Sequence, residues 1–283
     1  MSRTFVTRFA PSPTGYLHRG HAFSALTAHE AARAAGGRFL LRIEDIDRTR
    51  CRPEYEAAVY EDLAWLGLAW ETPVRRQSEH MDNYARALRE LAERGLLYRC
   101  FRTRREIAEE IERAPHGAME VFRGGPLPAD EEERRVEAGE AFAWRLSLDA
   151  AERTLGGFQD LTFVEEGEGP AGERGVLQAR PELGGDVVLA RKDVGVAYHL
   201  AVVVDDALQG ITHVIRGQDL FEATHVQRLL QALLALPTPV YRHHRLLTGP
   251  DGRRFAKRDR AETLRELRAR GVTPADLRRE MGL

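Results

Sequence analysis

The sequence predicts an α/β fold whose core is a parallel sheet with a site at the strand ends. Residues 5–9 have the composition of a short strand, and the turn-rich segment 11–15 ends it. Apolar side chains recur at helical spacing over residues 20–35, and residues 38–43 form a second strand. A strand, a glycine turn, a helix and a strand in this order make a βαβ unit, whose strands are parallel and whose ligands bind at the carboxyl ends.

The remainder of the chain continues this pattern around a more polar middle. Residues 55–66 and 81–94 are predicted as amphipathic helices, whereas residues 103–140 are charged and interrupted by proline and glycine. Four further elements are expected after the middle segment: resumption of the sheet at 187–190, an apolar run at 197–204, a strand at 213–216 and a helix at 221–236.

These elements predict two halves of one sheet domain, separated by an insertion. The expected ranges are 1–75 for the first half, 76–185 for an inserted domain of mixed helix and strand, 186–245 for the second half, and 246–283 for a basic loop followed by a short helical C-terminal stub. No internal repeat or heptad pattern argues for another architecture.

Composition excludes several classes of protein. The chain has 283 residues, of which 43% are apolar and 30% charged, a mixture typical of a globular protein. No apolar run approaches the roughly 20 residues that span a bilayer, and residues 1–8 lack a secretory signal, so a cytoplasmic location is expected. With only Cys51 and Cys100, a disulfide framework is excluded. Residues 241–283 carry 12 basic and 6 acidic side chains, which leaves nucleic-acid contact and a solvated helical face equally open.

The segment His18-Arg19-Gly20-His21 lies at the predicted start of the first helix. Backbone N–H groups at a helix N-terminus favour anions, and a glycine allows a phosphate to approach closely. Two imidazoles on that first turn can donate hydrogen bonds to charge that develops on the phosphates. Taken alone, so short a pattern is more often a plain helix start with two surface histidines.

Lysine is rare in this chain. Among 42 basic residues only Lys192 and Lys257 are lysines, and Lys257 lies in the basic segment 252–258. A mobile ammonium that closes over a triphosphate can stabilise charge on a departing pyrophosphate. A solvated basic turn is the alternative interpretation of the same segment.

Together the two segments resemble the HIGH and KMSKS motifs of class I aminoacyl-tRNA synthetases, and therefore imply a Rossmann-type catalytic core. Other stretches resemble the glutamyl-tRNA synthetase branch: residues 8–18, 41–48, 197–206 and 214–217 occur in that family's order. This resemblance spans nearly the whole chain. It implies that the protein binds ATP with Mg²⁺ and activates glutamate as an adenylate.

The resemblance also implies roles for individual residues. It assigns His18, His21 and Lys257 to catalysis, and the same three with Gly20 to ATP binding. It assigns five residues to glutamate: Arg8, Ser12, Glu44, Tyr198 and Arg216. Arginines suit the two carboxylates and Glu44 suits the ammonium. Each residue also has a structural interpretation, such as an Arg8–Glu44 ion pair or a core tyrosine. Asp45 and Asp47 are interpreted as structural rather than as metal ligands, and no protein metal site is expected.

The chain departs from the full-length glutamyl enzymes at its C-terminal end. Only 24 residues follow Asp259, so no anticodon-binding domain is expected. In this it resembles the truncated paralogue, glutamyl-queuosine tRNA(Asp) synthetase, which implies transfer of glutamate to queuosine in the anticodon stem-loop of tRNA(Asp). Two alternatives stay open. One is transfer to another acceptor, namely the 3′-end of a tRNA, a small molecule or a carrier protein. The other is a non-catalytic RNA-binding module, which the altered motif at Arg254, Ala256 and Arg258 would favour. A monomer is expected.

Some members of this paralogue family bind zinc through cysteines and a tyrosine. Here Cys100 lacks a second cysteine, because Arg102 stands at the partner position. One thiolate cannot build a four-coordinate site, so no structural zinc is expected.

Overall fold

The structure is a computed structural model that describes residues 4–113, 121–191, 195–247 and 262–283. Its elements are numbered in chain order. The strands are β1 (Val6–Phe9), β2 (Arg38–Ile43), β3 (Glu71–Arg76), β4 (Leu97–Cys100), β5 (Ala143–Leu146), β6 (Thr162–Glu165), β7 (Gly175–Gln178), β8 (Val188–Arg191), β9 (His213–Gly217) and β10 (Val240–His244). The α-helices are α1 (Arg19–Ala34), α2 (Pro53–Trp65), α3 (Met81–Glu93), α4 (Arg104–Arg113), α5 (Ala129–Glu137), α6 (Leu148–Leu155), α7 (Tyr198–Leu208), α8 (Phe221–Leu233), α9 (Leu264–Ala269) and α10 (Pro274–Met281). Short 3₁₀ turns lie at Gln77–Glu79, Pro181–Gly184 and Gln218–Leu220.

The predicted parallel sheet is confirmed. Strands β1, β2 and β3 pair in parallel, as do β9, β10 and β6, while β7 adds an antiparallel strand beside β6. The two groups meet where Thr212, just before β9, exchanges hydrogen bonds with Val6 of β1. The Val6 N–H donates to Thr212 Oγ1 at 2.8 Å, and the Thr212 N–H donates to the Val6 carbonyl at 2.9 Å. Strand order therefore reverses between β1 and β9, which in doubly wound sheets is where ligands bind.

Helices cover both faces of this sheet. Helix α1 follows the predicted helix to within a residue at each end, because its apolar positions repeat at helical spacing. These positions pack on one face of β1 and β2, and the buried ones are Ala22, Phe23, Ala25, Leu26, Ala28 and Ala32. The opposite face carries α7 and α8, whose buried apolar side chains share a second core with β9 and β10. Fully burying an apolar side chain contributes roughly 1.5–3 kcal/mol, so the two cores hold the sheet edges in place.

A separate antiparallel sheet, in the order β4-β5-β8, corrects one expectation. Residues 187–190 were expected to resume the parallel sheet, but β8 pairs with β5 instead. Conversely, β6 lies within the predicted insertion and pairs with β10 of the main sheet. A four-residue apolar strand buries equally well against either neighbour, so its composition does not encode its partner. The four domain ranges stay proposals.

The short C-terminal helices confirm the predicted helical stub. Thr263 and Thr273 cap α9 and α10, and each accepts the N–H of an acidic residue three positions on. The two helices pack beside α1, where Arg278 pairs with Glu30 at 2.8 Å. The Leu264 N–H donates to the Leu17 carbonyl at 2.8 Å, which ties α9 to the start of α1. Within the described residues, no helix has the length and apolar character needed to cross a bilayer.

Candidate active site

A cleft of about 1020 Å³ opens at the carboxyl ends of β1 and β9. It lies at the reversal of strand order, where the sequence predicted a site. All the predicted site residues that fall within the described ranges line it: Arg8, Ser12, His18, Gly20, His21, Glu44, Tyr198 and Arg216. Lys257 and the segment 252–258 lie outside the described residues. The structure thus brings together side chains that are up to 208 positions apart, from Arg8 to Arg216.

A buried cluster of charges lies beside the cleft and includes two of its lining residues, Arg8 and Glu44. Its centre is Arg42, which is fully buried on β2. The Arg42 guanidinium donates to Asp206 Oδ1 at 2.8 Å, to Gln209 Oε1 at 3.0 Å, and to Glu44 Oε1 at 3.2 and 3.4 Å. Its Nε also lies 3.8 Å from the carboxylate of Asp205. Charges buried in this way are stable only when each is paired, so the cluster fixes the positions of its members.

Arg8 is part of this cluster. It donates from Nε to Asp206 Oδ1 at 2.9 Å and from Nη2 to Asp206 Oδ2 at 3.3 Å, so one edge of its guanidinium is occupied. Burial alone would raise the pKa of Asp206, but Arg8 and Arg42 outweigh it and hold that pKa below its usual value. No described residue accepts a hydrogen bond from Arg8 Nη1, which leaves this corner of the guanidinium for a ligand. The pairing of Arg8 is with Asp206 and not with Glu44, which corrects the structural alternative.

Glu44 directly follows β2 and is 7% exposed. Its Oε1 accepts both bonds from Arg42, and no described residue donates to Oε2. Burial raises the pKa of Glu44, although the charges of Arg42 and Arg8 act in the opposite direction. A carboxylate at the wall of the cleft, with one oxygen still to be satisfied, is suited to a cation such as an ammonium.

Arg216 is in a different electrostatic situation. It is 4% exposed, and all its described hydrogen-bond partners are neutral. It donates from Nη2 to Thr224 Oγ1 at 2.7 Å, from Nη1 to Gln227 Oε1 at 2.9 Å and to the Tyr198 hydroxyl at 3.5 Å, and from Nε to His243 Nε2 at 3.1 Å. No carboxylate of the described residues forms an ion pair with it. A buried guanidinium without a directly bound anion is a strong receptor for one.

His18 and His21 are joined in a reciprocal cap at the start of α1. The His18 Nδ1 accepts the Gly20 N–H at 3.1 Å, and the His21 Nδ1 accepts the His18 N–H at 3.2 Å. Their ring centroids are 3.9 Å apart. Because each Nδ1 is an acceptor, a neutral imidazole carries its proton on Nε2, at the opposite edge of the ring. A Cβ on Gly20 would lie 3.0 Å from the His18 ring, so a larger residue there would push the imidazole out of its position by a few tenths of an ångström.

The two aspartates after β2, Asp45 and Asp47, are both occupied by local hydrogen bonds. Asp45 accepts the Ser78 N–H at 2.8 Å and the Ser78 hydroxyl at 2.5 Å. Asp47 accepts from Thr49 and from Arg50, and these bonds lower its pKa to about 2. The contacts support the structural interpretation of both residues. In the ranges that the structure covers, no three His, Cys, Asp or Glu side chains are grouped as metal ligands.

Cys100 is buried in a small apolar cluster with Tyr98, Ile107 and Phe122. The Tyr98 hydroxyl donates to Asp186 Oδ2 at 2.8 Å. Apolar neighbours suit a neutral thiol better than a thiolate ligand. The absence of structural zinc stays a prediction, which metal analysis of the purified protein can check.

Sequence reasoning missed several residues of this site. Arg42 is a charged residue inside an otherwise apolar strand, and Asp206 ends the apolar run of α7. Both are signals for a buried ion pair, but neither names its partner. His199 also lines the cleft, and burial together with Arg216 lowers its pKa to about 4. His243, the neighbour of Arg216, carried no sequence signal of its own.

The chain matches one family model and several known proteins. A family model described as the catalytic domain of class I tRNA synthetases (E and Q) matches residues 4–283. A glutamyl-Q tRNA(Asp) synthetase of Rhodobacter capsulatus is 50% identical, over 98% of this chain and 100% of the relative. One of the same name from Symbiobacterium thermophilum is 41% identical over 94% of this chain and 82% of its own length.

A solved structure is also similar. The crystal structure of a glutamate tRNA ligase from Elizabethkingia meningosepticum, in complex with its amino acid, has a TM-score of 0.74 and 28% sequence identity. The match covers 91% of this chain and 52% of that one, so the chain spans about half the length of the solved ligase.

Proposed function

Since the chain belongs to the catalytic-domain family of the class I tRNA synthetases for glutamate and glutamine, we propose that it activates glutamate with ATP and transfers the glutamyl group to RNA. The acceptor we propose is queuosine in the anticodon stem-loop of tRNA(Asp). The names and the coverage of the two bacterial relatives support this choice. The proposal describes a cytoplasmic, monomeric enzyme.

The observation that carries the proposal is Arg216. A buried guanidinium that is held by neutral partners at the wall of the cleft gains most from binding a carboxylate. Glutamate supplies two carboxylates and one ammonium. Arg216 and the unoccupied corner of Arg8 suit the carboxylates, while Glu44 Oε2 suits the ammonium. Ser12 and the Tyr198 hydroxyl line the same cleft and would add directional hydrogen bonds.

The proposed chemistry has two steps. In the first, the α-carboxylate of glutamate attacks the α-phosphate of ATP, a new C–O–P linkage forms, and the bond to pyrophosphate breaks. The Nε2 protons of His18 and His21 can donate to the phosphate oxygens on which charge develops. Lys257 is proposed to act on the departing pyrophosphate. Mg²⁺ is part of the proposal as the ion that ATP carries, where it offsets phosphate charge.

In the second step, a hydroxyl of the acceptor attacks the glutamyl carbonyl and AMP leaves with its phosphate, while the hydroxyl proton is released. An ester of glutamate results. Because both steps rest on positioning and charge stabilisation, no covalent intermediate with a protein nucleophile is required.

Two assays test the proposal. ATP–pyrophosphate exchange is measured with glutamate and without RNA, beside aspartate and glutamine as controls. Exchange that depends on glutamate supports the first step, and its absence in folded protein contradicts it. Transfer of labelled glutamate is then compared between tRNA(Asp) with and without queuosine. Labelling of both, or of neither, contradicts the proposed acceptor.

The Arg216→Ala variant should raise the glutamate KM or abolish exchange, and unchanged kinetics would remove Arg216 from the binding site.

A further inference from the structure

Three neighbouring parallel strands place Glu165, His243 and Arg216 in a row on one face of the sheet. Arg216 on β9 and His243 on β10 are register partners, and the next strand outward, β6, contributes Glu165. Glu165 is the register partner of Tyr241, two positions before His243 on β10. Side chains at matched or alternate positions of parallel strands point to the same face, so the three meet beneath α8. Their exposed fractions are 2% for Glu165, 2% for His243 and 4% for Arg216.

Hydrogen bonds determine which atoms carry protons in this row. Glu165 Oε1 accepts two backbone N–H groups, of His243 and of Gly167, each at 2.8 Å. Glu165 Oε2 lies 2.5 Å from His243 Nδ1. Burial alone would raise the pKa of Glu165, but these bonds lower it, and burial lowers the pKa of His243. The carboxylate is therefore ionised and the imidazole neutral, with its proton on Nδ1.

The chain of hydrogen bonds continues from His243 to Arg216. With Nδ1 protonated, His243 Nε2 has a lone pair, and it accepts the Arg216 Nε–H at 3.1 Å. The other two nitrogens of the guanidinium donate to Gln227 and Thr224, and the group lies 5.4 Å from the ring centroid of Tyr241. If the imidazole carried its proton on Nε2 instead, two N–H groups would face each other and Arg216 would have to turn away.

From this geometry we infer that Glu165 and His243 form a positioning dyad, which holds the Arg216 guanidinium in the orientation that binds a substrate carboxylate. The dyad touches no substrate; it acts through Arg216. The inference rests on the proposed function, since it names glutamate's carboxylate as the group that Arg216 binds.

The variant Glu165→Gln tests the dyad. The two backbone N–H groups keep an oxygen at the Oε1 position, so the introduced amide nitrogen takes the position of Oε2 and donates to His243 Nδ1. The imidazole proton must then move to Nε2, opposite the Arg216 Nε–H. We expect the glutamate KM in pyrophosphate exchange to rise roughly tenfold to a hundredfold, the range for losing a hydrogen bond of a charged group. The ATP KM should change less than about threefold, because His18 and His21 are untouched.

Two further variants separate positioning from a general structural effect. Tyr241 lies on the same strand as His243, and Tyr241→Phe removes a buried hydroxyl that accepts from Gln231 at 2.9 Å but keeps the ring beneath Arg216. It should leave the glutamate KM within about twofold of wild type. His243→Gln places an amide oxygen near the position of Nε2, where it accepts from Arg216 whatever stands at 165. In that background Glu165→Gln should add less than about threefold, since its effect passes through the imidazole.

The result that would overturn the inference is an equal rise in KM for Glu165→Gln and Tyr241→Phe, or full additivity with His243→Gln. The ring tautomer gives a readout without substrate. Histidine side-chain ¹⁵N NMR should show the Nδ1–H form of His243 in wild type and the Nε2–H form in Glu165→Gln. A wild-type Nε2–H or doubly protonated ring at pH 7 would refute the dyad. A protein with the expected tautomers but no glutamate-dependent exchange would contradict the proposed function and, with it, the role in binding glutamate.

Discussion

Replacing the buried Arg42 is expected to lower the free energy of unfolding strongly. The side chain is fully buried and is the cation that three carboxylates share: it donates to Asp206 and Glu44, and lies 3.8 Å from Asp205. Arg42→Met keeps the length of the stem but leaves these carboxylates without that charge. Breaking a buried pair by removing one partner costs about 3–5 kcal/mol, a large part of the roughly 5–15 kcal/mol that stabilises a domain.

The same strand provides the matched control. Arg38 also pairs with a glutamate, Glu71, through two short bonds of 2.8 and 2.6 Å, but its side chain is 50% exposed. Exposed pairs contribute about 0–1 kcal/mol, so Arg38→Met should change stability by no more than this. The two variants therefore compare equal chemistry at different burial.

Urea unfolding at pH 7, followed by circular dichroism, measures the difference. With an m-value of about 3 kcal/mol/M, Arg42→Met should lower the midpoint by roughly 1–2 M, and Arg38→Met by less than about 0.4 M. Equal midpoints for the two variants would show that burial adds nothing to the pair, and the account of the charge cluster would be wrong.

Three other predictions concern single side chains. Burial raises the pKa of Asp62 to about 6, so the folded state binds this proton more tightly than the unfolded state and loses stability as pH rises from about 4 to about 6. Asp62→Asn should then stabilise the protein by about 2 kcal/mol at pH 7 and by little at pH 4, measured as urea midpoints; an equal gain at both pH values would contradict the linkage. Glu44→Gln should raise the glutamate KM in exchange by roughly tenfold to a hundredfold, because an amide replaces the charged acceptor of the ammonium, and an unchanged KM would exclude that contact. Arg104→Ala should weaken transfer to RNA and reduce the salt slope of RNA binding by about one, with exchange intact, because Arg104 is exposed at the cleft and forms no ion pair with any described residue. Its control Arg105→Ala, on the same helix and 3.4 Å from Glu109, should have a smaller effect, and the reverse order would contradict the assignment.

The spacing of apolar residues along the sequence predicted those helices and strands whose formation depends mainly on neighbouring residues. Helix α1 was predicted within a residue of its bounds, since the spacing of its alanines and leucines is itself the cause of the buried face. Strand β2 was predicted at its observed bounds for a similar reason. Strand β8 was wrongly expected in the parallel sheet, because the choice between β5 and another neighbour depends on the position of distant segments.

The site divides in the same way. The motifs around His18 and Arg216 indicated which residues meet, because a resemblance carries long-range information that composition lacks. It could not indicate what Arg42 does. A lone arginine in an apolar strand is stable only beside an anion, and its anion, Asp206, is 164 positions away. Only the packing of α7 against β2 brings the two together.

The contrast between Arg8 and Arg216 shows why equal residue types need not have equal roles. Both were predicted to bind carboxylates, and both are 4% exposed. The charge of Arg8 is already offset by Asp206, so an added carboxylate would share the arginine with an existing anion. Arg216 has only neutral atoms against it, and the carboxylate of Glu165 is separated from it by the His243 ring. The free-energy cost of burying the Arg216 charge is therefore only partly offset until an anion binds. Binding of a substrate carboxylate to Arg216 should then stabilise the folded protein. We therefore expect glutamate to raise the melting temperature of the protein more than aspartate does, and we expect this difference to be lost in the Arg216→Ala protein.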